Sequence, residues 1–374
     1  MKECSTHSRL PAPAVDASRG KTLITQLIGG IGTPLRTLLL TLLLPLLALN
    51  ATAHTITVLQ WNIWQEGTMI QGGYDAIVDE IVRLRPDFVT FSEVRNYHNT
   101  RFCDRITKSL RERGEEYWAF YSYDTGLLSR HPITDSLTVF PCVEDHGSIY
   151  GLHSIVAGHK VAVYTAHLDY LNDSYYEARG YDGCTFRPIV PVNDPDSLIA
   201  HGNRSMRDEA VRAFLQQAEA DTQRGYTVII GGDFNEPSHR DWTSLTADLY
   251  DHHGAVVPWP QTTALEAAGF IDAYRTRYPN VLTHPGFTYP SDNTDAPINR
   301  LTWAPKADER ERIDYVFIRP AEGRKISLKD CRVFGPEGCI VRSERMAEPS
   351  RDARILPLGT WPTDHKGVWV KVKL

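Results

Sequence analysis

Six apolar runs in this chain each carry an Asn, an acid or a His at one end. That repeated arrangement constrains the fold more than any other feature. "LQWNIW" delivers Asn62, "FVTFSEV" delivers Glu93, and "VAVYTAHLDY" delivers His167 and Asp169. "VIIGGDFN" delivers Asp233 and Asn235, "RIDYVFI" begins with Asp314, and "WPTDHKGVWV" places Asp364 and His365 before its apolar part. Short apolar runs bounded by Gly, Pro, Asn and Asp read as buried strands. One such run has a bland explanation, because Gly, Asp, Asn and Pro collect wherever strands end. Glu93 could pair with Arg95, a lone His is ordinarily a satisfied core residue, and Asp364 could cap a turn. Six together, with no compensating buried Lys, point to one shared polar site.

Helical segments separate these strands. "YDAIVDEIVRLR" has helical periodicity and stops before Pro86. "RFCDRITKSLRERG" is a helix closed by Gly114, and "SMRDEAVRAFLQQAEADTQRG" is amphipathic, with Ser205 to Asp208 as a capping-box variant. "DGCTFRPIVPVNDPDS" and "RSERMAEPSRDARILPLG" read as loops. Strands with helices between them predict an α/β chain. Consecutive strands over 136–169 require some antiparallel pairing, which excludes a simple doubly wound sheet.

With 374 residues, 42% hydrophobic, the chain can bury a large core. Its first 53 residues stand apart. Lys2, Arg9, Arg19, Lys21 and Arg36 precede "LLLTLLLPLLAL", and Ala51 and Ala53 form an A-x-A site. This reads as a signal peptide and leader over 1–53, followed by one domain over 54–374, so a secreted or periplasmic protein is expected. An uncleaved anchor is the alternative; Pro45 and the shortness of the apolar run disfavour it, and no stable membrane insertion is expected. Residues 1–53 carry five Lys/Arg and two Asp/Glu, a net of +3, so the formal charge of −6 becomes −9 without them. That balance lacks the basic footprint of a dedicated nucleic-acid binder, although a local basic rim or bound cations can compensate. Export implies an oxidising compartment. Cys331 and Cys339 flank "RVFGPEG", and a local disulfide is expected between them. No Cys–His spacing resembles a zinc site.

Carboxylates with an Asn and no thiolate are hard oxygen ligands, suited to Mg²⁺, Mn²⁺ or Ca²⁺. Two histidines remain to bind or protonate an anion. A hard divalent cation, a carboxylate that orients water, and a His that steadies the transition state make a site for phosphate-ester hydrolysis.

In order, "WNIW", "SEV", "AHLD", "GDFN", "RIDYVF" and "TDHKG" resemble the motifs of the endonuclease/exonuclease/phosphatase superfamily, from about Thr55 to the C-terminus. The resemblance implies a four-layer α/β/β/α sandwich of two packed, mostly antiparallel sheets, with the site at one end. It implies Glu93 as principal metal ligand with Asn62 beside it and Asp364 touching the metal, Mg²⁺ first. It also implies Asp233 orienting the water, Asn235 and His167 contacting the phosphate, and His365 as the final active-site His, oriented by Asp314. The chain departs from the apurinic endonucleases at Trp64, where they carry an Asp, and at "TAHL", where they use a Tyr. The His version looks more like the deoxyribonuclease and sphingomyelinase branches. A long insertion, Leu171–Ser205, follows "AHLDY", and Trp64, Tyr170, Tyr175, Tyr176 and Tyr181 either line a substrate rim or pack the insertion.

The resulting expectation is a monomeric, metal-dependent hydrolase of phosphate esters, foremost a phosphodiesterase. A nuclease acting on DNA or RNA is the alternative within the class. A non-catalytic binding protein on the same fold is the alternative outside it, and retention of every polar motif position argues against that.

Overall fold

In the computed structural model, which describes residues 54–120, 122–141 and 147–374, the buried runs pair into two sheets. The signal-peptide segment lies outside the described residues. The chain runs β1 (Thr55–Asn62), α1 (Gly73–Leu84), β2 (Phe88–Ser92), α2 (Phe102–Glu112), β3 (Trp118–Phe120), β4 (Thr125–Ser129), β5 (Ile133–Phe140), β6 (Gly147–Val156) and β7 (His159–Leu168). It continues through α3 (Tyr175–Ala178), α4 (Pro195–Gly202), α5 (Arg207–Gln223), β8 (Tyr226–Asp233), α6 (Pro260–Ala267), β9 (Ile271–Asp272), α7 (Ala273–Arg277) and β10 (Asp314–Arg319). It closes with β11 (Ser327–Phe334), β12 (Gly338–Val341), β13 (Glu344–Ala347), β14 (Arg354–Ile355) and β15 (Gly367–Lys373).

One sheet has seven strands in the order β14-β11-β15-β1-β2-β4-β3, and the other six in the order β5-β6-β7-β8-β10-β9. Both are mixed: β14–β11, β1–β2 and β7–β8 are parallel, and the remaining neighbours antiparallel. Strand periodicity then sorts the side chains into layers. Ile56, Val58, Val163, Ile229, Val316 and Val370 fill the space between the sheets. Leu59, Trp61 and Phe91 face outward onto Ile77, Ile81, Phe102 and Ile106 of α1 and α2. Tyr164, Val228, Ile230 and Phe317 do the same against Val211 and Phe214 of α5. The result is the expected four-layer sandwich.

Three local readings are corrected. Cys331 and Cys339 are both free thiols. Cys331 faces the core from β11, whereas Cys339 sits in the separate β12–β13 hairpin, where its thiol turns to the Met346 carbonyl. The segment read as a loop from Arg342 contains β13 and β14. Ser205 caps helix α5 only weakly: its hydroxyl donates to the Gly202 carbonyl and accepts from the Arg207 N–H at a long 3.4 Å, while Asp169 accepts from the Met206 N–H at 2.9 Å. Burying this helix end against the Asp169 turn lets a distant carboxylate satisfy the N-cap N–H and place a negative charge at the helix N-terminus.

Candidate active site

Strand direction explains why distant residues converge. β1 and β2 run parallel, as do β7 and β8, so Asn62, Glu93, His167 and Asp233 leave at the same pole. β4, β10 and β15 run against those strands and start where they end, which brings Asp124, Asp314 and the Asp364–His365 pair to that pole. Asp314 is directly opposite Asp233, and His167 is in register with Asp233 on the other side.

The glycines of "VIIGGDFN" also have a packing reason. A Cβ on Gly231 would collide with the Thr90 hydroxyl of the facing sheet. The layers approach closely here, and the interlayer turns polar: the Thr90 hydroxyl donates to the side-chain Oε1 of Gln60 at 2.6 Å, and the Gln60 Nε2 faces Ser92 at 3.2 Å and Asp314 at 3.4 Å. Ser92 accepts from the Asp233 N–H and donates to the Ala166 carbonyl, stitching the sheets together beneath the site.

The Asn62 amide donates to Glu93 Oε1 at 3.1 Å and to Asp233 Oδ2 at 2.9 Å. Its oxygen accepts from the Trp64 N–H at 3.0 Å, which fixes the amide orientation. Asn62 thus bridges two carboxylates, and the oxygen that the sequence reading offered to a metal is turned toward backbone. Asp233 Oδ1 accepts from the Asn235 N–H at 2.9 Å, and the Asn235 amide donates to the Leu168 carbonyl. His365 Nδ1 is 2.9 Å from Asp314 Oδ2, and its Nε2 is 3.7 Å from Asp233 Oδ2. His167 Nδ1 is 2.6 Å from Asp124 Oδ2. Glu93, Asp124, His167, Asp233, Asn235, Asp364 and His365 line one cavity of about 590 Å³, with Asn62 and Asp314 behind its wall.

Charge is strongly coupled in this pole. Burial opposes the charge on His365, but Asp314 and Asp233 outweigh it and raise the imidazole to about 10. Burial likewise opposes the charge on His167, and Asp124 outweighs it, again to about 10. Burial raises Glu93 despite both histidines, and raises Asp233, with Asp314 adding to the shift. Burial pushes the Asp364 carboxyl up to about 7; His365 opposes that shift and Glu93 adds to it. Two carboxylates raised by burial, Asp364 by Glu93 and Glu93 by Asp124 in addition, are electrostatically incomplete, and a hard cation held by Glu93 and Asp364 would complete them. Ligand atoms of Asp233, Asp314 and His365 also lie within 4.8 Å of one another. Nδ1 of His365 is bonded to Asp314 and Nε2 faces Asp233 at 3.7 Å, and the raised imidazole keeps a proton on each nitrogen, so this trio fits an acid–His–acid relay better than an ion site.

Asp124 and Glu66 are absent from the sequence reading. Asp124 had the same signal as Asp314, an acid immediately before an apolar strand. Glu66 had none: it lies in a loop, fully buried, and accepts from the Arg95 N–H, the Thr100 hydroxyl and Arg105 at 2.6–2.9 Å. It anchors Trp64, Gln65 and Glu66, three successive left-handed residues, and its own N–H bonds to the carbonyl of Glu93, which is left-handed too (φ 62°). Of the five aromatics, Trp64, Tyr170, Tyr175 and Tyr176 line the cavity and Tyr181 does not; Tyr175, Tyr176 and Tyr181 all pack in one buried cluster with Trp242 and Trp259.

Two packed mixed sheets with acids and histidines gathered at one pole define a phosphoester hydrolase. The chain belongs to the endonuclease/exonuclease/phosphatase family, whose sequence profile matches residues 59–365. Enzymes of this family generally use divalent cations. An uncharacterized Caenorhabditis elegans protein, F14F9.5, is 27% identical over 282 residues, covering 72% of this chain and 80% of that protein. Among solved structures, D. rerio TDP2 complexed with single strand DNA product shares the fold at 17% identity and a TM-score of 0.50, over 85% of this chain and 98% of that one. The human Nocturnin catalytic domain with bound sulfate is 14% identical with a TM-score of 0.48, over 86% and 96%.

Proposed function

We propose that this protein is a metal-dependent phosphodiesterase in which water attacks phosphorus. The observation that carries the reading is the Asn62 amide bridging Glu93 and Asp233, with His365 Nε2 3.7 Å from the same Asp233 oxygen. Glu93 and Asp364 would hold a divalent cation, Mg²⁺ in the first instance, which when bound neutralises phosphoryl charge. Asp233, fixed through both oxygens by Asn62 and the Asn235 N–H, orients the attacking water and, with its raised basicity, accepts its proton. His365 and His167 stay protonated at neutral pH and donate to phosphoryl oxygens as charge builds in the transition state. Asp314 and Asp124 hold each imidazole in one orientation.

A nuclease is the second reading, because the TDP2 whose fold this chain shares holds single-strand DNA product. Arg300 is the one Lys or Arg among the described residues lining the cavity, which favours a substrate with one phosphate over a phosphate-rich polymer. Export is also part of the proposal, supported by the basic and apolar N-terminus ending in Ala51-x-Ala53. No described helix is long and apolar enough to cross a membrane. A panel of duplex DNA, single-strand DNA, RNA and small phosphodiesters, run with Mg²⁺ and with chelator, tests the reading. Turnover of small diesters that chelator abolishes supports it, and turnover confined to nucleic acid selects the nuclease.

A further inference from the structure

One wall of the cavity is aromatic, and the catalytic residues described above do not use it. Phe186, from the insertion, stacks on Trp303 with ring centroids 5.1 Å apart and planes 27° apart. Tyr176 meets the edge of Phe186 at 5.0 Å, and Tyr175 packs on Tyr176 at 4.6 Å. The wall is built rather than incidental. Glu309 is buried, and its Oε2 accepts both the Trp303 N–H at 2.9 Å and the Tyr176 hydroxyl at 3.1 Å. Phe186 holds a left-handed backbone (φ 52°), a conformation that costs a non-glycine residue and persists only where its surroundings enforce it. Trp303 is nevertheless 57% exposed, so a large ring on the cavity lining stays open to solvent.

The lining selects among occupants. The aliphatic side chains are Met69 and Ile313 alone, which is too little to receive an acyl chain. Glu93, Asp124, Asp173, Asp233 and Asp364 face one Arg300 and two histidines, which disfavours a polyphosphate arm. A quaternary ammonium needs several free aromatic faces turned toward it, but the Trp64 face already carries the Arg300 guanidinium at 5.4 Å, and Phe186 and Trp303 are stacked on each other instead of facing each other across a cage. A flat, uncharged ring meets none of these objections, and aromatic faces stack on such rings whatever their identity.

We propose that the Phe186–Trp303 wall is a stacking subsite for one planar ring on an ester arm of the substrate. The substrate is then an aryl or nucleoside phosphodiester with a single negative charge, and the insertion is the element that selects it. This inference rests on the phosphodiesterase reading.

The test uses four diesters sharing a methyl arm: thymidine 5′-methyl phosphate, phenyl methyl phosphate, choline methyl phosphate and dimethyl phosphate, with products followed by phosphorus NMR. The wild-type protein should have a lower KM for the two ring-bearing esters. In Trp303→Ala the ratio of kcat/KM between phenyl methyl phosphate and dimethyl phosphate should fall about tenfold, and Trp303→Phe should restore most of it. Comparing the thymidine and phenyl arms then identifies the ring's source. A ratio unchanged in Trp303→Ala, or a preference for the choline ester, overturns the subsite. Calorimetric binding of phenyl phosphate and ethyl phosphate, which needs no turnover, separates the two readings. If no ester is hydrolysed but phenyl phosphate binds the wild type about tenfold more tightly than Trp303→Ala, the phosphodiesterase reading fails and the subsite stands. Equal binding of phenyl phosphate to both proteins overturns the subsite itself.

Discussion

His365 Nδ1 and Asp314 Oδ2 are 2.9 Å apart, both groups are buried, and the opposite nitrogen of the same ring is 3.7 Å from Asp233. One imidazole therefore stands between a carboxylate that orients it and a carboxylate that faces the cavity. His365→Ala should lower kcat by about two to four powers of ten and move KM little, since the contact matters most in the transition state. Asp314→Asn should lose less, and the double variant should be little worse than His365→Ala, because the two act as one unit. Steady-state kinetics on all three variants checks this. Multiplicative losses would give Asp314 a separate task.

Glu66 is a positioning residue for the loops that carry Trp64 and Glu93. Glu66→Gln replaces one acceptor oxygen with a donor, leaving Arg105 or the Arg95 N–H and Thr100 hydroxyl without a partner. The expected cost is about 1–3 kcal/mol, since Arg105 is partly exposed and water recovers some of its bonding. Denaturant unfolding of wild type and variant measures it, and equal midpoints would contradict the assignment.

His252 lies buried on the Trp242 ring, with centroids 3.7 Å apart. Burial, and then the Arg179 charge, push its imidazole down to about 2. The folded His252 is neutral through mild acid, whereas the unfolded chain takes up a proton near the ordinary value of about 6.5. This group's contribution to stability is fully present above about pH 6.5. It falls by about 1.4 kcal/mol per pH unit below that, until the folded value is reached. His252→Phe keeps the ring stack and removes the titration. Unfolding free energies at pH 7.5 and 5.0 should therefore fall less in the variant than in the wild type, and parallel losses would contradict the account.

The polar pole was legible because a strand end is a local signal: Asn62, Glu93, His167, Asp233 and Asp314 each terminate or begin an apolar run. Residues whose place depends on the facing sheet were not legible. Gln60 and Ser92 read as ordinary strand residues, and only the close approach of Thr90 to Gly231 makes them the floor of the site. The orientation of Asn62 was hidden for a similar reason, since it is set by a backbone N–H two residues on, in a loop whose left-handed turn the sequence does not announce. The Cys331–Cys339 pairing failed because proximity along the chain does not reveal that the intervening turn passes from one sheet to another.

Hydrolysis of bis(p-nitrophenyl) phosphate by the wild-type protein and by Glu93→Gln, before and after exhaustive chelation and then with Mg²⁺ restored, tests the central claim most directly. The account predicts that chelation abolishes wild-type turnover and Mg²⁺ restores it. It also predicts that Glu93→Gln stays folded, binds the ion more weakly and loses at least about a hundredfold in kcat/KM. Full turnover after chelation, or in Glu93→Gln, would contradict it.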